Sequence, residues 1–105
     1  SVRSATIGLT KSLSFELGQY NIRVNSILPG WTLTDRVDAL LANRAEIHKS
    51  SYNAEKTGIT ADIPLQRMGD PIEFGRAAAF LVSPAASFVN GVMLNVDGGI
   101  YKGIY

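Results

Sequence analysis

The strongest constraint on the fold lies in residues 22–34, IRVNSILPGWTLT, where a β-branched run stops at Pro29-Gly30 and opens into a loop of hydroxyls and backbone donors. Open α/β sheets bind ligands just beyond the carboxyl ends of their strands, so this exit is a candidate ligand-contacting edge. Gly18 to Asn21 precede the strand. Asn21 supplies a residue able to take the left-handed conformation that a tight helix-to-strand turn requires.

Periodicity organises the rest. Val2, Ala5, Leu9, Leu13 and Leu17 recur at three- and four-residue steps, predicting an amphipathic helix over residues 1–17 with this stripe inward and Ser1 as N-cap. Gly8 and Ser12 either admit a second helix at close range or are ordinary tolerated small residues. Thr34 is an expected N-cap for a helix carrying Val37, Leu40, Leu41 and Ala45 to about Ile47. Residues 50–62 show weak periodicity, and this long insertion after a ligand-facing strand reads as a mobile lid or as a solvated excursion. Asp70-Pro71-Ile72-Glu73 places a carboxylate at the N-cap, proline first and glutamate third. This capping arrangement opens a short helix with Phe74, Ala77, Ala78 and Leu81 inward, closed by Ser83-Pro84. A final strand, residues 92–96, enters through Asn90-Gly91 and leaves through Asp97-Gly98-Gly99. A strand, crossover and strand of this kind implies parallel pairing in an α/β fold.

Composition narrows the class. A chain of 105 residues, 46% hydrophobic and 18% charged, is one globular unit or part of one. A net charge of +1 supplies no broad attraction for nucleic acid or an anionic membrane. With no cysteine there are no disulfides and no thiolate chemistry, which fits a reducing compartment. No apolar run approaches the roughly 18 residues of a membrane span, so a cytoplasmic protein is expected.

The segments IGLTKSLSFELGQYNIRVNSILPGWTLTD and PLQRMGDPIEFGRAAAFLVSPAASFVNGVMLNVDGG together resemble the C-terminal part of a short-chain dehydrogenase/reductase, over nearly the whole chain. The resemblance implies the end of a three-layer, doubly wound Rossmann sheet, with a helical lid at about residues 35–63. It also implies that residues 1–105 are one portion of a single domain whose dinucleotide-binding half precedes Ser1. Consistent with that, the ten glycines include no G-x-x-x-G-x-G or G-x-G-x-x-G spacing. Such a piece is expected to be insoluble or molten alone, since two strands and a few helices leave much of a parallel sheet uncovered.

The activity implied is hydride transfer between nicotinamide, as NAD or NADP, and a small carbonyl or secondary alcohol. By the same resemblance, backbone groups of Pro29, Gly30 and Thr32 meet the nicotinamide carboxamide, and the Thr34 hydroxyl supports it or a phosphate. Trp31 walls the substrate cavity or covers the sheet edge. The family's catalytic lysine position falls on Arg3, and its tyrosine position lies two residues before Ser1. A guanidinium keeps the charge but not the ability to deprotonate. Arg3 with Thr34-Asp35-Arg36-Val37 is similar to a divergent branch in which the tyrosine also tends to be absent. Arg3 is therefore either a cofactor contact or a solvated first-turn residue, and the alternative to an enzyme is a non-catalytic scaffold.

Other candidates read as structural. His48 lacks a partner at metal-ligand spacing, Asp35 and Asp38 suit the first turn of a helix, and Asn25 and Asp97 suit backbone or subunit hydrogen bonds. The apolar tail Ile100, Tyr101, Ile104 and Tyr105, together with the first helix, implies a homodimer or homotetramer by the same resemblance.

Overall fold

A computed structural model describes residues 2–103, with Val2 as backbone alone. The expected Ser1 cap and the tail residues Ile104 and Tyr105 lie outside the described residues. The chain runs α1 (Val2–Gly18), β1 (Ser26–Pro29), α2 (Asp35–Ile47), α3 (Tyr52–Thr60), α4 (Pro71–Val82), a 3-10 turn (Pro84–Ala86) and β2 (Met93–Val96). The strands pair in parallel, with Ser26 opposite Met93 and Pro29 opposite Val96. Parallel pairing requires a crossover, and α2, α3 and α4 occupy it.

Three helix boundaries follow local chemistry. Asn21 has φ 61°, and the Ile22 and Asn21 amides donate to Leu17 and Gly18 carbonyls, a Schellman-type closure of α1. The Thr34 hydroxyl accepts from Val37 N–H at 3.3 Å and caps α2. At α4 the capping box is complete, with Glu73 Oε1 accepting from Asp70 N–H at 2.9 Å and Pro71 in the first turn.

The first strand begins at Ser26, four residues later than its β-branched pattern predicts. Before it, one backbone bond, from Gly91 N–H to the Val24 carbonyl at 2.9 Å, is joined by bonds of asparagine side chains. Val24 N–H donates to Asn90 Oδ1, while Asn25 donates to the Val89 carbonyl and accepts from Val92 N–H. Arg23 reaches the Leu81 carbonyl at 2.7 Å and the Ser83 carbonyl at 3.3 Å, a cation at the C-terminus of α4, where the helix dipole favours it.

Helix α1 also departs from its predicted face. Ala5 and Leu9 are exposed, Leu13 and Leu17 half-buried, and the buried positions are Thr10 and Ser14. The reason is close approach. Thr10 Oγ1 and Ser26 Oγ share a hydrogen bond of 2.5 Å, and a Cβ on Gly91 would stand 2.8 Å from Ser14 Oγ. Larger inward side chains would push α1 off the strand connection. No Cβ contact arises at Gly8, so the idea that it admits a second helix finds no neighbour among the described residues.

Within residues 50–62, where the sequence shows weak periodicity, Tyr52–Thr60 form α3, capped by the Ser51 hydroxyl on Ala54 N–H at 3.1 Å. Leu41, Ile63 and Met68 form a buried cluster, against which Trp31, Val37, Tyr52, Ile59 and Ile100 pack. Helix α3 thus shares this core with the strand exit. Tyr52 donates to Asp38, whose carboxylate raises the phenol's pKa, and His48 pairs with Glu55; both contacts tie α3 to α2. Among the described residues no helix is long and apolar enough to cross a membrane.

Candidate functional site

The exits of β1 and β2 lie side by side. Gly30 N–H donates to the Val96 carbonyl at 3.1 Å, and a Cβ on Gly30 would stand 2.5 Å from Asp97 Cβ and 2.8 Å from its Cα. Glycine is required there by proximity, not by a left-handed backbone. The chain beyond β1 is pinned by Gly69: Gly69 N–H donates to the Trp31 carbonyl at 3.0 Å, and Leu33 N–H donates to the Gly69 carbonyl at 2.8 Å. These bonds flank Thr32, making it the bridge partner of Gly69. In a parallel bridge the flanked residue turns its own N–H and C=O to the opposite side. Thr32 therefore presents one backbone donor and one acceptor together, and no hydrogen bond among the described residues uses either.

Beside this loop is a cleft of about 560 Å³. Trp31, Pro64, Arg67, Asn95, Asp97 and Gly98 are among its walls. Arg67 and Glu73 form a two-pronged ion pair across the rim, at 2.7 and 2.8 Å. The Arg67 guanidinium, then the Asp70 N–H, holds the Glu73 carboxyl at about 2, down from 4.5. Because the folded value is depressed, the stabilisation from this pair is complete above about pH 4.5 and is lost as pH falls through about 2. The difference in melting temperature between wild type and Glu73→Gln is therefore expected to shrink across that window. Melts at stepped pH check this; a constant difference would contradict it.

Arg44 lies over the Trp31 ring at 5.9 Å, so the indole is held between the cleft and α2. Asp97 accepts from Gly99 N–H at 2.9 Å and Tyr101 N–H at 3.3 Å, folding the chain after β2 around its carboxylate. Gly98 and Gly99, at φ 66° and 94°, make the turn. Arg3 donates to Asn95 Oδ1 at 2.7 Å and stacks on the Tyr101 ring.

The predicted residues are thus brought to one end of the sheet but not into one cavity. Trp31 lines the cleft. Pro29 and Gly30 form the strand exit, Thr32 faces away from Gly69, and Thr34 is engaged as a helix cap. Arg3 is no solvated first-turn residue; it reaches the cleft through Asn95. Asn25 and Asp97 bond to backbone, as their residue types suggested. The contribution of Asn95 escaped sequence reasoning, since an asparagine within a strand carries no local signal of its partner.

A family model described as enoyl-(acyl carrier protein) reductase matches residues 1–101. Among curated relatives, the 3-oxoacyl-(acyl-carrier-protein) reductase FabG of Vibrio cholerae is 35% identical over 101 residues, spanning 96% of this chain and 37% of that protein. The 7alpha-hydroxysteroid dehydrogenase of Escherichia coli is 37% identical over 99 residues, 94% of this chain and 35% of that one. A short chain dehydrogenase family protein from Francisella tularensis superposes with a TM-score of 0.85 at 32% identity, over 92% of this chain and 40% of that chain. L-sorbose reductase from Gluconobacter frateurii, in complex with NADPH and L-sorbose, superposes with a TM-score of 0.86 at 27% identity, over 96% and 39%. The chain accordingly spans little more than a third of the curated relatives' length.

Proposed function

The chain belongs to the short-chain dehydrogenase/reductase family, and from that premise we propose that it is the nicotinamide-end portion of an NAD(P)-dependent oxidoreductase acting on a small carbonyl or secondary alcohol. The observation that carries this reading is the backbone donor and acceptor of Thr32, without partners among the described residues and held at the strand exit by the bonds of its neighbours to Gly69. A primary carboxamide needs one acceptor for its N–H and one donor for its oxygen, and Thr32 offers both in fixed register. The residues present therefore fit the nicotinamide end of the dinucleotide. When bound, that group supplies the hydride chemistry.

The chain's own contribution is orientation. Gly30 sets the strand exit against Asp97, and the Gly69 bridge holds Trp31 to Leu33. The Thr34 hydroxyl accepts from Val37 N–H and keeps its own proton to donate, so it can cap α2 and support a carboxamide or phosphate at once. Trp31 limits the substrate side of the cleft. Arg3 stands at the position of the family's catalytic lysine and supplies a permanent positive charge there. A non-catalytic scaffold is the second reading, favoured by the engagement of Arg3 with Asn95 and Tyr101.

Thr32→Pro removes the backbone donor and is expected to raise the dissociation constant of the full-length protein for NADH or NADPH by about tenfold, the weight of one good hydrogen bond. Thr32→Val, which alters only the side chain, is expected to change it by less than about twofold. Fluorescence titration checks both, and equal losses would sink the backbone reading. Turnover of a carbonyl substrate by the same preparation separates enzyme from scaffold.

The partners proposed are the preceding half of the same Rossmann domain and further copies of the protein, as a homodimer or homotetramer. Phe15, Val82 and Phe88 are almost wholly exposed, which supports apolar cover from such partners. A monomeric mass by light scattering of the full-length protein would count against the oligomer.

A further inference from the structure

The side chain of Arg3 is engaged by two partners far along the chain. Its Nη2 donates to Asn95 Oδ1 at 2.7 Å, and its guanidinium carbon lies 3.6 Å from the centre of the Tyr101 ring. Its Nε is buried without a hydrogen-bond partner among the described residues, so the group is held by the stack and one in-plane bond. Tyr101 is itself backed by Gly103, where any Cβ would overlap the ring and its hydroxyl. Upstream, Asp97 accepts from the amides of Gly99 and Tyr101, and Ile100 packs on the Leu41, Ile63 and Met68 cluster. Residues 97–103 therefore run as a strap from the end of β2, over the core, to the first turn of α1.

We propose that Arg3 is a positioning residue: clamped between Asn95 and Tyr101, it latches this strap to α1 and so fixes the cleft wall formed by Asn95, Asp97 and Gly98. The chemistry favours arginine. A planar, weakly hydrated guanidinium can stack on a ring and donate in its own plane at once, whereas an ammonium is a point charge that hydrates strongly. The latch also reaches the cofactor end of the site. Asp97 is the residue against which Gly30 packs, so loosening the strap loosens the backbone that leads to Thr32. The latch stands on geometry alone; its effect on turnover rests on the oxidoreductase reading above.

Hydrogen exchange of the amides of residues 98–103 in the full-length protein tests it, with the amides of α4 as an internal reference for folding. Arg3→Ala is expected to speed strap exchange about tenfold, since it removes a charge-assisted hydrogen bond and the stack. Tyr101→Leu, which keeps bulk but loses the ring's electrostatic face, is expected to speed it about two- to fivefold, and Tyr101→Phe to stay within about twofold of wild type. Gly103→Ala, which displaces the ring, should match Tyr101→Leu. In a protein that turns over substrate, kcat/KM should fall in the same order, with Tyr101→Phe retaining the wild-type value. Unchanged exchange in Arg3→Ala, or equal exchange in the Phe and Leu variants, overturns the latch. An inactive wild-type protein whose strap responds in the expected order overturns the oxidoreductase reading and upholds the latch.

Discussion

Gly30→Ala in the full-length protein is expected to lower kcat/KM about a hundredfold and stability by about 1–3 kcal/mol. The methyl group has no room. It would stand 2.5 Å from Asp97 Cβ and 2.8 Å from Asp97 Cα, and the second of these is backbone that cannot rotate away. Relief requires that the two strand exits separate, and their register is set by the Gly30 to Val96 hydrogen bond just beyond the ladder. Separation would carry Trp31 and Thr32 with it, and a shift of about 1 Å in a positioning element costs about two orders of magnitude in rate. Steady-state kinetics and denaturant titration on one preparation check both parts. A variant with wild-type kinetics would show that the close approach does not govern the site.

Leu41→Ala is expected to cost about 2–5 kcal/mol, the range for a fully buried leucine truncated where its surroundings cannot collapse. Leu41 is wholly buried at the centre of the cluster with Ile63 and Met68, and its neighbours come from the strand exit, α2, α3 and the strap. A cavity there loosens four segments together. Leu41→Met, which nearly conserves volume, is expected to cost less than about 1.5 kcal/mol. Urea denaturation of the full-length protein measures both, and a small loss in Leu41→Ala would place the structural centre elsewhere. Activity should fall with stability, because Trp31 packs on the same cluster.

The features legible in the amino-acid sequence are those encoded over three or four residues. Asp70, Pro71 and Glu73 specify a helix start because their side chains and backbone satisfy one another within a single turn. Thr34 and Asn21 act over similarly short spans, and the Pro29-Gly30 exit and Asp97-Gly98-Gly99 turn were equally plain. The order of elements carried the parallel pairing, and the resemblance carried the family. The inward face of α1 was misread because a stripe of leucines outweighs two hydroxyl residues in any periodicity, and the hydroxyls are buried only because Ser26 and Gly91 come close. The helix Tyr52–Thr60 was missed for a related reason: α3 presents few apolar side chains, and Tyr52 and Ile59 find their cover in Leu41, Ile63 and Met68, which lie outside it in the sequence.

Local hydrogen bonding and backbone preference act at short range, so the turns, caps and strand exits of this protein are written in adjacent residues. Its tertiary structure alone decided what those exits face. Arg3 meets Asn95, 92 positions away, only after the strands have paired and α1 has settled on them, and residue type alone cannot reveal a contact whose chain entropy is met by packing elsewhere. The same dependence turns the Thr32 backbone N–H and C=O away from Gly69. That donor and acceptor have no partner among the described residues because Gly69, brought in from beyond α3, takes up the bonds on either side.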